Sequence, residues 1–241
     1  MTGASSGIGE ATALVLAAAG ARLIVTGRDE DRLKSVAVRT GATALPADLA
    51  QPGAVEALTG SALNVHGRID LLICNAGGGW AGPIGEIPAA TAAELTAVNL
   101  LAPVELARLL LPGMIARRTG HLVFVSSIAG ATGVRNEAVY AATKAGLNSL
   151  AESLRYEVAG TGVGVSVVLP GAVDTPFFSR RGRPYGRRWP APVASDQVAR
   201  AIMSAVTHDR AEVYVPGWLR FPAWLHGTAP RAYRLLAGRF S

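Results

Sequence analysis

Thr2-Gly3-Ala4-Ser5-Ser6-Gly7-Ile8-Gly9 stands at the head of the chain and runs into an Ala-rich helical pattern over 7–19. Glycines at this spacing suit a strand-to-helix turn: Gly3 permits a tight bend, Gly7 lets a pyrophosphate approach backbone at the helix N-terminus, and Gly9 allows close packing. Alone the signal is weak, because a glycine-lined helix entry reads equally well. Its weight depends on the rest of the chain.

Outward from this turn, apolar β-rich runs alternate with Ala/Leu helical patterns. Strands are expected over 22–27, 43–46, 69–75, 121–127, 163–169 and 212–215, and helices over 7–19, 29–39, 52–66, 92–117, 139–159 and 196–207. Thr91 and Glu94 read as a capping box at the start of the fourth helix. The alternation predicts an α/β fold, a Rossmann-like doubly wound parallel sheet in three α/β/α layers, with ligands beyond the carboxyl ends of the strands. The chain opens at Met1 without an apolar run before the turn, so the first strand is expected to be missing, or to lie upstream, leaving its neighbours with unpaired backbone.

The bulk numbers fit one domain over 1–241. Of 241 residues, 50% are hydrophobic and 17% charged, enough for one large core, and no repeat or low-complexity segment interrupts it. One cysteine, Cys74, and four histidines allow neither an intrachain disulfide nor a metal-type spacing, and this usage fits the cytoplasm. There is no leader pattern, and no apolar run is read as reaching the ~18–20 residues of a membrane span. The net charge of +6 arises from 21 Arg and two Lys, with five Arg between Arg180 and Arg188. No helix-turn-helix, zinc or RNA-binding signature accompanies it, so nucleic acid is not an expected partner.

Tyr140-Ala141-Ala142-Thr143-Lys144 carries the strongest chemical signal. An i, i+4 pair shares a helix face, and a cation beside a phenol favours its ionised form. Such pairs also occur by chance on surfaces, yet this chain writes Arg almost everywhere and places one of its two lysines here. Ser127 ends the strand at 121–127, where a hydroxyl can donate to a substrate oxygen that gains negative charge. Ser126 reads instead as a local backbone partner.

On these residues the chain resembles the short-chain dehydrogenase/reductase family, up to about Val215. Thr2-Gly3, Gly7 and Gly9 match its TGxxxGxG turn, Asp48 and Leu49 its adenine contact, and Asn75-Ala76-Gly77 its N-A-G turn, with Cys74 where an Asn usually precedes. Asn99 matches the fourth member of a tetrad with Ser127, Tyr140 and Lys144, and Pro170-Gly171-Ala172-Val173-Asp174-Thr175 matches the segment that closes over nicotinamide. The resemblance implies a proton at Tyr140, ribose contacts from Lys144, and a water anchored by Asn99. It implies cofactor contacts from Gly3, Ser5, Ser6, Gly7, Ile8, Gly9, Arg28, Asp48, Leu49, Asn75, Ala76, Gly77, Tyr140, Lys144, Pro170, Gly171, Val173 and Thr175, and a homodimer or homotetramer.

The second strand ends Val25-Thr26-Gly27-Arg28, and Arg there suits the 2′-phosphate of NADP, with Asp29 readable as a helix cap. Against this, Ser6 stands where many NADP-preferring relatives carry a second base. A substrate lid is expected over 175–195, and Trp80 is a further pocket candidate. A tail over 216–241 interleaves Trp218, Phe221, Trp224, Tyr233 and Phe240 with Arg220, Arg231, Arg234 and Arg239. It reads as packing over the pocket or against a second subunit, ahead of peripheral contact with a membrane surface. The expected activity is interconversion of a secondary alcohol and a carbonyl on an apolar substrate. The alternatives are a 3-oxoacyl-thioester reductase and a non-catalytic nucleotide-binding relative lacking the first strand.

Overall fold

The computed structural model describes residues 1–186 and 190–237. In chain order the main elements are α1 (Gly7–Ala18), β1 (Ile24–Val25), α2 (Glu30–Thr40), β2 (Thr43–Ala44), α3 (Ala54–His66), β3 (Leu71–Cys74), α4 (Ala89–Thr96), a π turn (Ala97–Leu101) and α5 (Ala102–Arg117). Then come β4 (Gly120–Val125), α6 (Ala129–Thr132), α7 (Ala138–Glu157), β5 (Val163–Pro170), β6 (Val173–Asp174), α8 (Phe177–Arg180), β7 (Val193–Ala194), α9 (Ser195–Thr207), β8 (Glu212–Val215), α10 (Arg220–Thr228) and α11 (Pro230–Ala237). All ladders are parallel. β3-β4-β5-β8 form one sheet, and β1-β2 continue it beyond Met1 and Thr2.

The sheet is sandwiched because its side chains alternate between two apolar faces. On β4, Leu122 and Phe124 enter the core under α3, α5 and α7, whereas Val123 and Val125 enter the core under α1 and α9. Leu72 and Cys74 on β3 fall on the first face and Ile73 on the second. A third cluster of Ala13, Val25, Leu33 and Val36 fixes α2 beside α1. These layers are the Rossmann-like α/β/α arrangement expected.

The expected absence of the first strand is corrected in part. Met1 and Thr2 bridge β1 and β3: the Met1 amino group donates to the Ile24 carbonyl at 2.7 Å, Thr26 N to Met1 O at 3.0 Å and Thr2 N to Ile73 O at 2.9 Å. The backbone next to the glycine turn is thus paired on both sides, which is the part of the strand that positions the turn. Farther down, an apolar cavity of about 260 Å³ lined by Leu16, Leu23, Leu72, Leu106 and Leu110 separates β1 from β3.

Two further expectations change. The capping box at Thr91 and Glu94 does not form: α4 begins at Ala89 behind Pro88, whose carbonyl already takes Ala92 N at 3.0 Å, and Glu94 turns to Arg28. The helical run Ala89–Arg117, with 29 residues and an 18-residue window of mean hydropathy 1.4, does meet the length and composition of a membrane span. It nevertheless forms part of the core, with Ala102, Leu106, Leu110 and Met114 buried.

The ends of the segment expected as a lid meet in the β6–β7 ladder, Val173 opposite Val193 and Asp174 opposite Ala194. Arg187, Arg188 and Trp189, together with Arg239 and Phe240 of the tail, lie outside the described residues. The tail folds into short helices, as its prolines dictate. Leu219 is buried against the strand ends, while Trp218, Phe221, Trp224, Leu235 and Leu236 are exposed.

Candidate active site

A cleft of about 1290 Å³ opens over the carboxyl ends of the strands, running from Arg28, Asp48 and Leu49 past the glycine turn to Ser127, Tyr140 and Lys144. The turn is stitched to the end of β3. Thr2 Oγ1 accepts from Asn75 N and Ala76 N, both at 3.0 Å, and Asn75 Nδ2 donates to the Thr2 and Gly3 carbonyls at 3.1 and 3.0 Å. A Cβ on Gly9 would lie 2.0 Å from Gly3 O, so only glycine lets α1 approach this closely. Gly7 has φ of +58°, and a Cβ there would meet Thr175 Cγ2 at 2.9 Å. Bare backbone at a helix N-terminus, backed by Thr175, fits the pyrophosphate of a dinucleotide.

At the other end β4 and α7 meet. Ser127 follows β4, and its Oγ accepts from Ala129 N at 3.1 Å. Lys144 Nζ donates to Val125 O at 2.8 Å and lies 5.9 Å from the Tyr140 ring centroid. Ser126 Oγ donates to Lys144 O at 3.0 Å. The Asn99 side chain is fully buried on the π turn, accepting from Gly78 N at 2.9 Å and donating to Gly78 O at 3.0 Å and Thr143 Oγ1 at 3.1 Å. In α-helical register the donor to the Asn99 carbonyl would be the N–H of residue 103, which is proline, and the Ala102 N–H bonds Ala97 O instead. A π turn is how the helix absorbs this mismatch.

Burial sets the proton balance. It pushes the Tyr140 phenol up to about 12; the hydrogen bond with Ser127 opposes this, Glu137 adds to it and Arg181 opposes it. The depression expected from Lys144 is not among the causes, and the net direction is upward. Burial also lowers the Lys144 ammonium to about 8, with Cys74 opposing.

α8 and the residue after it pack against this cluster. The Phe177 ring is 5.4 Å from that of Tyr140 and packs on Gly79, where a Cβ would meet it at 2.5 Å. Arg181 pairs with Glu137 in a nearly buried ion pair, its side chain only 10% exposed, and sits 4.6 Å above the Phe178 ring. Where the cleft reaches the end of β1, Asp29 caps α2 by accepting from Arg32 N at 3.1 Å, and Arg28 bonds Glu94 at 2.6 Å.

The short chain dehydrogenase family profile matches residues 1–185. The chain belongs to this family. It is 36% identical over 225 residues to "Ketoacyl reductase HetN" of Nostoc sp., covering 89% of this chain and 77% of that protein. Among solved structures, a short-chain dehydrogenase from Sphingobium yanoikuyae in complex with NADPH superposes with a TM-score of 0.84 at 30% identity, covering 99% and 92% of the two chains. A Burkholderia phymatum short chain dehydrogenase/reductase in complex with NAD superposes with a TM-score of 0.85 at 26% identity, covering 96% and 93%. The protein is an oxidoreductase of CH–OH groups that uses a nicotinamide cofactor.

In this dehydrogenase the expected site residues come together. Gly3, Ser5, Ser6, Gly7, Ile8, Arg28, Asp48, Leu49, Asn75, Ala76, Gly77, Ser127, Tyr140, Lys144, Pro170, Gly171, Val173 and Thr175 line one cleft, as does Trp80, while Gly9 and Asn99 stand behind it. Sequence reading placed Phe177 and the arginines after it in the expected lid, and Thr2 in the glycine-turn motif, but missed Thr2 as a brace of Asn75, Thr143 as a partner of Asn99 and Glu137 as the partner of Arg181.

Proposed function

We propose that the chain interconverts a secondary alcohol and a ketone on an apolar substrate with NADP, Tyr140 giving or taking the proton at the substrate oxygen. The carrying observation is the buried Tyr140 phenol, one helical turn from Lys144 and lining the same cleft as Ser127. Bound nicotinamide supplies or accepts the hydride. Ser127 donates to the substrate oxygen as it becomes alkoxide-like. Lys144 holds the ribose hydroxyls and keeps positive charge near the phenol. Asn99 fixes Gly78 and Thr143 with its side chain, and its carbonyl on the π turn is the anchor for a water between Lys144 and solvent.

An apolar substrate is supported by Trp80, Leu95, Phe177, Phe178 and Leu219, which line the cleft. NADP is supported by Arg28 at the strand end, with Asp29 occupied as a cap. The 3-oxoacyl-thioester reading draws support from the ketoacyl reductase relative. It is weakened because Arg181 is already taken up in a nearly buried ion pair with Glu137. We place the tail over the pocket, through Leu219, or against another subunit of a homodimer or homotetramer, ahead of a membrane surface, and keep a cytoplasmic location.

A panel of aliphatic and aromatic ketones assayed with NADPH and NADH tests the reading. Reduction of bulky apolar ketones with a higher kcat/KM for NADPH is expected. Turnover confined to acyl thioesters, or preference for NADH, contradicts it.

A further inference from the structure

The lid carries a basic group into the adenine end of the cleft, far from the substrate it covers. Arg180, the last residue of α8, donates from Nη2 to Ser6 Oγ on the glycine turn at 2.6 Å. The same turn touches the end of β1: a Cβ on Gly27 would lie 3.1 Å from Ser5 Oγ. Arg180, Ser6, Arg28 and Asp29 all line the cleft. Partial burial, and then the guanidinium groups of Arg32 and Arg28, lower the pKa of Arg180, with Asp29 opposing. Asp29 is taken up by the α2 cap and by Arg32, and Glu94 holds Arg28. Arg180 and Arg28, two cations lining the same cleft, with Arg180 held by the neutral Ser6 and, among the described residues, by no carboxylate, suit an added dianion.

We propose that Arg180 is a cofactor-specificity residue, binding the 2′-phosphate of NADP jointly with Arg28 and so supplying from the lid the second cation that the neutral Ser6 does not. This rests on the NADP reading above. A consequence is that the phosphate ties down α8, the helix that sets Phe177 over Tyr140, so that NADP and not NAD holds the lid closed.

Fluorescence titration of wild type, Arg180→Met and Arg180→Lys with NADPH and NADH tests it, with adenosine 2′,5′-bisphosphate and AMP as competing probes. Arg180→Met is expected to weaken NADPH and the bisphosphate by about tenfold, with changes under about twofold for NADH and AMP, and Arg180→Lys to recover most of the loss. If wild type binds NADPH no more tightly than NADH, the NADP reading itself fails. If wild type prefers NADPH but Arg180→Met weakens both cofactors equally, or neither, the cofactor reading stands and the role of Arg180 is overturned.

Discussion

Lys144 is buried with its ammonium on the Val125 carbonyl, and that burial gives the site a titration that solvent lysines lack. Below pH about 8 the side chain is charged, the form in which we propose it holds the ribose; above it the charge is lost. The phenol of Tyr140, at about 12, stays protonated across this range and cannot account for the same limb. Since kcat/KM for NADPH reports groups of the free enzyme, it is expected to be flat below pH 8 and to fall about tenfold per unit above. In Lys144→Arg the limb disappears from any activity that remains; a limb unchanged in that variant assigns it elsewhere. Tyr140, Lys144 and Ser127 were legible in the sequence because spacing along a helix and position at a strand end are local properties. The net direction of the Tyr140 shift was not, because burial depends on Phe177 and the lid, remote in sequence.

Among the elements, α8 and the start of α7 are joined by Glu137 and Arg181, 14% and 10% exposed. Removing one partner of a buried pair leaves the other charge desolvated, at a cost of about 3–5 kcal/mol. Glu137→Gln is therefore expected to loosen the lid, raising KM for the ketone severalfold and weakening NADPH more than NADH, since Arg180 moves with α8, and to speed proteolysis within 181–186. An unchanged KM and digestion pattern would show that the pair does not hold the lid. Helices α1, α3, α7 and α9 were readable from apolar periodicity to within a few residues. The π turn was not, although Pro103 forces the break beside Asn99. Nor were α6 and α8, four residues each, or β6 and β7, two each, which are too short to carry a period.

Across the whole molecule, β4 and β5 were legible because burial on both faces writes continuous apolar runs, and the parallel sheet followed from the alternation. The pairing of Met1 and Thr2 with β1 and β3 was not legible, since it rests on backbone hydrogen bonds that carry no side-chain signature. That pairing connects the cofactor turn to both parts of the sheet, so cofactor binding should stabilise the entire fold. At 100 times its Kd, NADPH is expected to add about 2.7 kcal/mol. For a chain of this size that raises Tm by roughly 5–11 °C in calorimetry. A Tm insensitive to both NADPH and NADH would mean the turn is not competent. The most direct test of the account is single-turnover and steady-state ketone reduction by Tyr140→Phe, with NADPH affinity measured on the same preparation. Turnover should fall about 100- to 10,000-fold while Kd for NADPH stays within about threefold; reduction above a tenth of the wild-type rate would contradict the assignment of the proton to Tyr140.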